Sequence, residues 1–191
     1  MRYAPRLIPP GSAPRGALVE PLIESLPTSP LGEHELVPQV AWMVEQDTGF
    51  VHAPASAASD LEAMRGSAIE TMLDGELASE PLEHLPGVNF ATNGTYAAEL
   101  LLDHDHLVAI HDILGAAGYL AAAPRRGRLL VGGVGGGIDG MKRFVDHVKH
   151  EHDAAPREDR ISPVTLFVRD GAPTAVIGEL QLIALAQAAR S

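Results

Sequence analysis

Two histidine-rich stretches hold the residue types best suited to chemistry. Asp103, His104, Asp105, His106, His111 and Asp112 form the denser one, and His147, His150, Glu151, His152 and Asp153 form the other. Imidazole nitrogens and carboxylate oxygens suit zinc, manganese or iron. His104 and His111 lie two helical turns apart and share a face, while His147 and Glu151 stand at i and i+4 and could hold one ion. His104, His111, His147 and Glu151 are therefore the candidate metal ligands, and a metal-assisted hydrolase is the reaction they would serve. Against this, His104 and His106 point apart on a helix, and no His-Glu-x-x-His motif occurs. Histidine in a last helical turn is equally expected, because imidazolium complements the carbonyl end of the dipole. Solvated helix faces account for both stretches, so no metal ligand is assigned.

The glycine tract Gly132 to Gly137 follows an apolar stretch and precedes a helical one, where backbone N–H groups can cradle an anion. Gly135, Gly137 and Gly140 satisfy G-x-G-x-x-G, yet the preceding strand belongs to a hairpin and no Gly-Lys-Ser/Thr follows. Asp139 at the helix entrance would repel a phosphate. A mobile connector is the expectation, with no cofactor. Ser56, Ser59, Ser67, Ser79 and Ser162 lie in no Gly-x-Ser-x-Gly and have no local base, so no catalytic residue is identified. Glu76, Glu80 and Glu83 read as a solvated run.

The elements that would position these residues are set by three short turns, at Asp47-Thr48-Gly49, Arg125-Arg126-Gly127 and Asp170-Gly171. Each separates apolar or alternating stretches, which predicts hairpins. Leu36 to Gln46 is the first strand, with Val40, Trp42 and Val44 on one face, and Phe50 to Ala53 returns. Tyr119 to Ala123 with Arg128 to Val131, and Pro163 to Val168 with Thr174 to Ile177, are the later hairpins. Ser59 caps a helix running to Leu73, with Glu62 three residues on as in a capping box. Further helices are expected over Thr95–Gly115, Ile138–His152 and Leu180–Ala189. Gly87 to Asn93 is a short strand closed by Asn93-Gly94. The result is an α+β fold, a mixed or antiparallel sheet of hairpins with helices packed on it. Residues 1–35 read as a proline-rich arm, free or docked against the domain through Tyr3, Leu7 and Ile8, with a short helical turn from Ala17, and 36–191 as a single α+β domain.

Among the 191 residues, 46% are hydrophobic and only 4% aromatic, so the core must be aliphatic. The 14 Lys and Arg against 25 Asp and Glu leave a net charge of −11, and Pro124 to Arg128 is the basic cluster. Nucleic-acid affinity rests on neutralising phosphates, so no nucleic-acid partner is expected. The absence of cysteine excludes disulfides, thiol nucleophiles and cysteine-ligated metals. Prolines at 5, 9, 10 and 14 interrupt the start of the chain, and no run of about 18 apolar residues occurs, so a cytoplasmic protein without a membrane partner is expected.

Gly94-Thr95-Tyr96-Ala97-Ala98-Glu99-Leu100-Leu101-Leu102 leads to Ala123-Pro124 and Leu129-Leu130-Val131, and then to Ile161-Ser162-Pro163-Val164-Thr165-Leu166-Phe167-Val168 with Asp170-Gly171. In order and spacing, over residues 36–178, this resembles the YtpQ-like family of uncharacterised bacterial proteins. The resemblance implies a cytosolic α+β protein and brings no catalytic residues. The chain departs from that family at the hairpin tip, where Arg125, Arg126 and Gly127 replace a more polar His/Gln/Asp-type sequence.

The function expected from these features is a noncatalytic protein-interaction or adaptor protein, in an oligomer or larger assembly, with exposed hairpin edges inviting strand addition. An immunity or inhibitor protein for a basic toxin enzyme is one alternative, since acidic surfaces steer basic partners. The metal-assisted hydrolase is the other.

Overall fold

The computed structural model describes residues 2–23, 33–47, 49–73 and 76–178. The first strand, β1 (Tyr3–Ile8), belongs to the segment expected to be an arm. It pairs antiparallel with β3 (Gln39–Gln46) from Tyr3 opposite Val44 to Ile8 opposite Gln39. Between them, β2 (Val19–Pro21) takes the place of the expected helical turn and pairs with the other side of β3. The boundary at residue 35 therefore disappears. An arm bearing Ala4, Leu7 and Ile8 has enough apolar surface to bury, and all three are buried. β4 (Gly49–His52) completes this four-stranded sheet as the return strand of the first hairpin. Both faces of β3 are covered, since Val40 and Trp42 are buried on one and Ala41 and Met43 on the other.

α1 (Leu61–Leu73) packs on β1 through a buried stripe of Met64, Ala68 and Met72. Its start differs from the capping box. A 3-10 segment, Ala55–Asp60, runs straight into it, and the Ser59 hydroxyl turns to the Asp60 carboxylate. Glu20 ties the unit together, taking the Trp42 indole N–H on one oxygen and Arg65 Nη2 on the other at 2.7 Å. The helix expected over Leu180–Ala189 lies outside the described residues.

The second sheet has six antiparallel strands in the order β10-β9-β7-β8-β6-β5. β5 (Ala78–Pro81) was not foreseen, because all four residues are exposed and give no alternating signal. β6 (Asn89–Asn93) ends at the expected Asn93-Gly94 turn and lies between β5 and β8, with no strand following the turn directly. Gly94 instead leads to a 3-10 helix, Ala98–Leu102, and then α2 (His104–Leu114), so the expected long helix is broken at Asp103. Asp103 is the α2 cap, its Oδ1 accepting from the Asp105 and His106 N–H groups, and Gly115 closes the helix at φ 61°.

β7 (Tyr119–Arg125) and β8 (Arg128–Gly133) form the second hairpin, irregular between Ala122 and Arg125 where Pro124 withholds a donor. α3 (Gly137–Ala154) follows, then β9 (Thr165–Arg169) and β10 (Ala172–Ile177). Asp170 and Gly171 turn this last hairpin with φ of 51° and 71°, the left-handed pair that such a two-residue turn requires.

The large sheet is buried on both faces. Ala121, Leu129, Val131, Leu166 and Val168 share a core with the small sheet, α1 and α2. Leu120, Ala122, Leu130 and Phe167 pack against Met141, Phe144, Val145 and Val148 of α3. The glycine tract is part of this packing and not a free connector. A Cβ on Gly132 would sit 2.6 Å from the Phe144 ring, and one on Gly136 would sit 2.9 Å from the Pro86 carbonyl. Among the described residues, no helix is long and apolar enough to cross a membrane.

Candidate functional site

Among the described residues, the sequence candidates do not converge on one metal site. His104 lies at the start of α2, its Nδ1 3.1 Å from the Gly171 carbonyl, and His111, two turns further along the same helix, lies 3.5 Å from the Asp112 carboxylate. His147 on α3 is largely buried and stacks edge-to-face on His84, a residue the sequence did not single out. Glu151 lies 3.7 Å from His147 but belongs to arginine: Arg128 reaches it at 2.9 Å and Arg125 at 3.3 Å. Burial works against ionisation of Glu151, yet these two guanidiniums hold its carboxyl below the usual range. Among the described residues, no group of three or more His, Asp or Glu could hold a metal ion. Glu80 is exposed, as expected of a solvated run, and also meets Arg128 at 2.8 Å. Ser162 has a structural task, donating to the Leu36 carbonyl and accepting from the Val164 N–H.

A different site lies where the two sheets meet. There a cleft of about 560 Å³ opens between β1, β4, the turn after β6 and the tip of the β7–β8 hairpin. Its length-wise neighbours in sequence are remote. Arg6 comes from β1, Phe50 from β4, Tyr96 and Glu99 from the segment before α2, and Arg125 and Arg126 from the hairpin tip. Two glycines allow the close approach. Gly94 N–H donates to the Gly127 carbonyl at 3.1 Å, and a Cβ on Gly127 would lie 2.9 Å from the Gly94 carbonyl. Gly127 also takes φ 65°, which favours glycine at the tip.

Glu99 forms the floor. It stands in the first turn of the Ala98–Leu102 helix, buried among Ala98, Leu100 and Leu101. Its Oε1 accepts from the Leu7 N–H on the open edge of β1 at 3.0 Å, while Oε2 is buried without a hydrogen-bond partner. Burial pushes the carboxyl up to about 7, against the opposing effect of the Leu7 bond and Arg6. Burial likewise raises the Tyr96 hydroxyl, with the Glu99 charge adding to it.

This contact also bears on strand addition. Strand residues alternate, so Pro5 occupies the same side of β1 as the Leu7 N–H and supplies no donor there. β5 ends in Pro81, and β10 carries Pro173 with a bulge beside it. Proline and bulges are the usual means of closing an edge to new strands.

Sequence reasoning singled out the Arg125-Arg126 tip but not Glu99 or Arg6. The signal for Glu99 was present: a lone carboxylate inside the apolar run Ala97 to Leu102. Comparison with known proteins adds nothing to the geometry, since no family model, curated protein or solved structure matches the chain.

Proposed function

We propose that this chain is a noncatalytic interaction protein, an adaptor or assembly component, that docks its partner in the cleft between the two sheets. The observation that carries the reading is a contrast in access. Proline, a bulge and the Glu99 carboxyl close the edges at β1, β5 and β10, while the cleft stays open with a polar lip and an unpartnered buried oxygen. A cleft of about 560 Å³ falls within the range of sites that enclose a ligand or an anchoring side chain. Its groups do not form a nucleophile with a base and an orienting partner. The resemblance to the YtpQ-like family brings no further site residue to this reading.

Thr95 lines the cleft and is exposed, so Thr95→Trp fills the space without disturbing the core. Purification from the native host should recover a partner with the unaltered chain and lose it with Thr95→Trp. A partner retained by both proteins would move docking elsewhere. The immunity alternative relies on the net charge of −11 to attract a basic enzyme, and an association rate insensitive to salt would remove it.

A further inference from the structure

The structure assigns a chemistry to the partner: the cleft and its neighbour form one trough for an extended acidic segment, with one partner carboxylate seated against the carboxyl of Glu99. This rests on the docking reading above and specifies what docks. A second cleft of about 270 Å³ adjoins the first, sharing Arg6 and Arg126 with it and adding Arg157 and Arg160. Among the described residues, none of these four arginines pairs with a carboxylate. Arg126 Nε donates to the Glu158 carbonyl, and Arg160 donates to the Ala155 and Asp153 carbonyls. Those bonds orient the guanidiniums and leave their charge unneutralised. Glu158 is the acidic residue on the trough wall. In a chain with 25 acidic residues against 14 basic ones, four uncompensated arginines around adjoining clefts favour an anionic occupant.

Glu99 narrows the choice. A protonated carboxyl with one oxygen fixed by Leu7 and the other unpartnered can donate to an incoming acceptor, and the surrounding arginines select a charged one. A small acid would fill one cleft only, whereas two clefts joined at Arg6 and Arg126 suit successive carboxylates on an extended chain. Nucleic acid presents a charge about every 1.7 Å of duplex axis, and a chain of net −11 repels that density more than a short acidic segment.

The seat is proton-linked. The charged or titratable groups facing Glu99 are Arg6 from β1, Tyr96 before its own helix, and Arg125 and Arg126 from the hairpin tip. Loss of the Glu99 proton sets two carboxylates against each other, so affinity should fall as pH rises past 7.

Fluorescence anisotropy with a labelled oligoglutamate peptide tests this, using oligolysine, succinate and a single-stranded oligonucleotide as comparisons. Oligoglutamate should bind, oligolysine should not, and Arg6→Glu with Arg126→Glu should weaken binding by about tenfold or more. Arg157→Glu, at an exposed loop position, should weaken it without touching a strand. Glu99→Gln should abolish most of the difference in binding between about pH 6 and pH 8. Binding unchanged by the charge reversals would overturn the proposal, as would tighter binding of the oligonucleotide or saturation by succinate alone. If Thr95→Trp loses the native partner while oligoglutamate never binds, docking in the cleft stands and the acidic-segment assignment falls.

Discussion

Arg128 and Arg126 stand two residues apart on one hairpin and meet opposite surroundings. Arg128 is buried, with Nη1 2.8 Å from Glu80 and 2.6 Å from Asn93, and Nη2 2.9 Å from Glu151. Every face of its guanidinium is matched, which is what a charge removed from water requires. The Arg126 side chain reaches only a backbone carbonyl, and it lines the same cleft as Arg6 and Glu99. Glu151, one of the candidate ligands weighed in the sequence, lies on the compensated side and serves the fold. The difference separates charge that holds the sheet to α3 from charge left over for an external group.

Removing the compensated arginine should have the largest effect. Arg128→Ala leaves Glu151 partly buried with Arg125 as its one remaining guanidinium, and should cost about 3 kcal/mol or more in urea unfolding. A loss below about 1 kcal/mol would mean that the pair adds little to holding α3 on the sheet.

Next in size is the pH dependence set by Glu99. Its carboxyl keeps the proton to about 7 when folded, against 4.5 ordinarily, so the folded state binds more protons between those values. Stability from this group is full below about pH 4.5 and is lost as pH rises through 7, by at most about 3 kcal/mol. Glu99→Gln keeps an acceptor for Leu7 and removes the ionisation. The gap between its unfolding free energy and that of the unaltered chain should widen from pH 5 to pH 8, in favour of the variant. Parallel curves would show that Glu99 ionises without strain.

A smaller loss is expected in the glycine tract, which separates packing from the anion-cradle alternative. Gly132→Ala forces a methyl to 2.6 Å from Phe144 and 2.8 Å from the Asn89 side chain, and should destabilise by about 2 kcal/mol. An unchanged melting temperature would restore a loose connector there. Smallest of all, Arg126→Ala should leave stability within about 0.5 kcal/mol, since it removes a surface contact to backbone only. A loss as large as that of Arg128→Ala would erase the distinction between the two arginines.

Much of the fold was legible because its signals are local. Asp170-Gly171 specifies its own turn, the stripe on α3 from Met141 to Val148 marks its buried face, and alternation marks β3. β1 was missed because Pro5 and the neighbouring prolines mask a strand whose donors are needed on one side only. β5 was missed because an exposed edge strand shows no alternation. The candidate site was legible only as fragments. The Arg125-Arg126 tip stood out, but its meaning depends on Arg6, Glu99 and Arg157, which chain folding brings beside it.

The residues alone determined an aliphatic, cysteine-free α+β fold of hairpins and helices, because turn geometry and side-chain periodicity act over a few neighbouring positions. Only the tertiary structure decided which charges are matched and which are left over. Compensation depends on distances of a few ångströms between segments as far apart as Glu80, Arg128 and Glu151, and no local pattern encodes those distances.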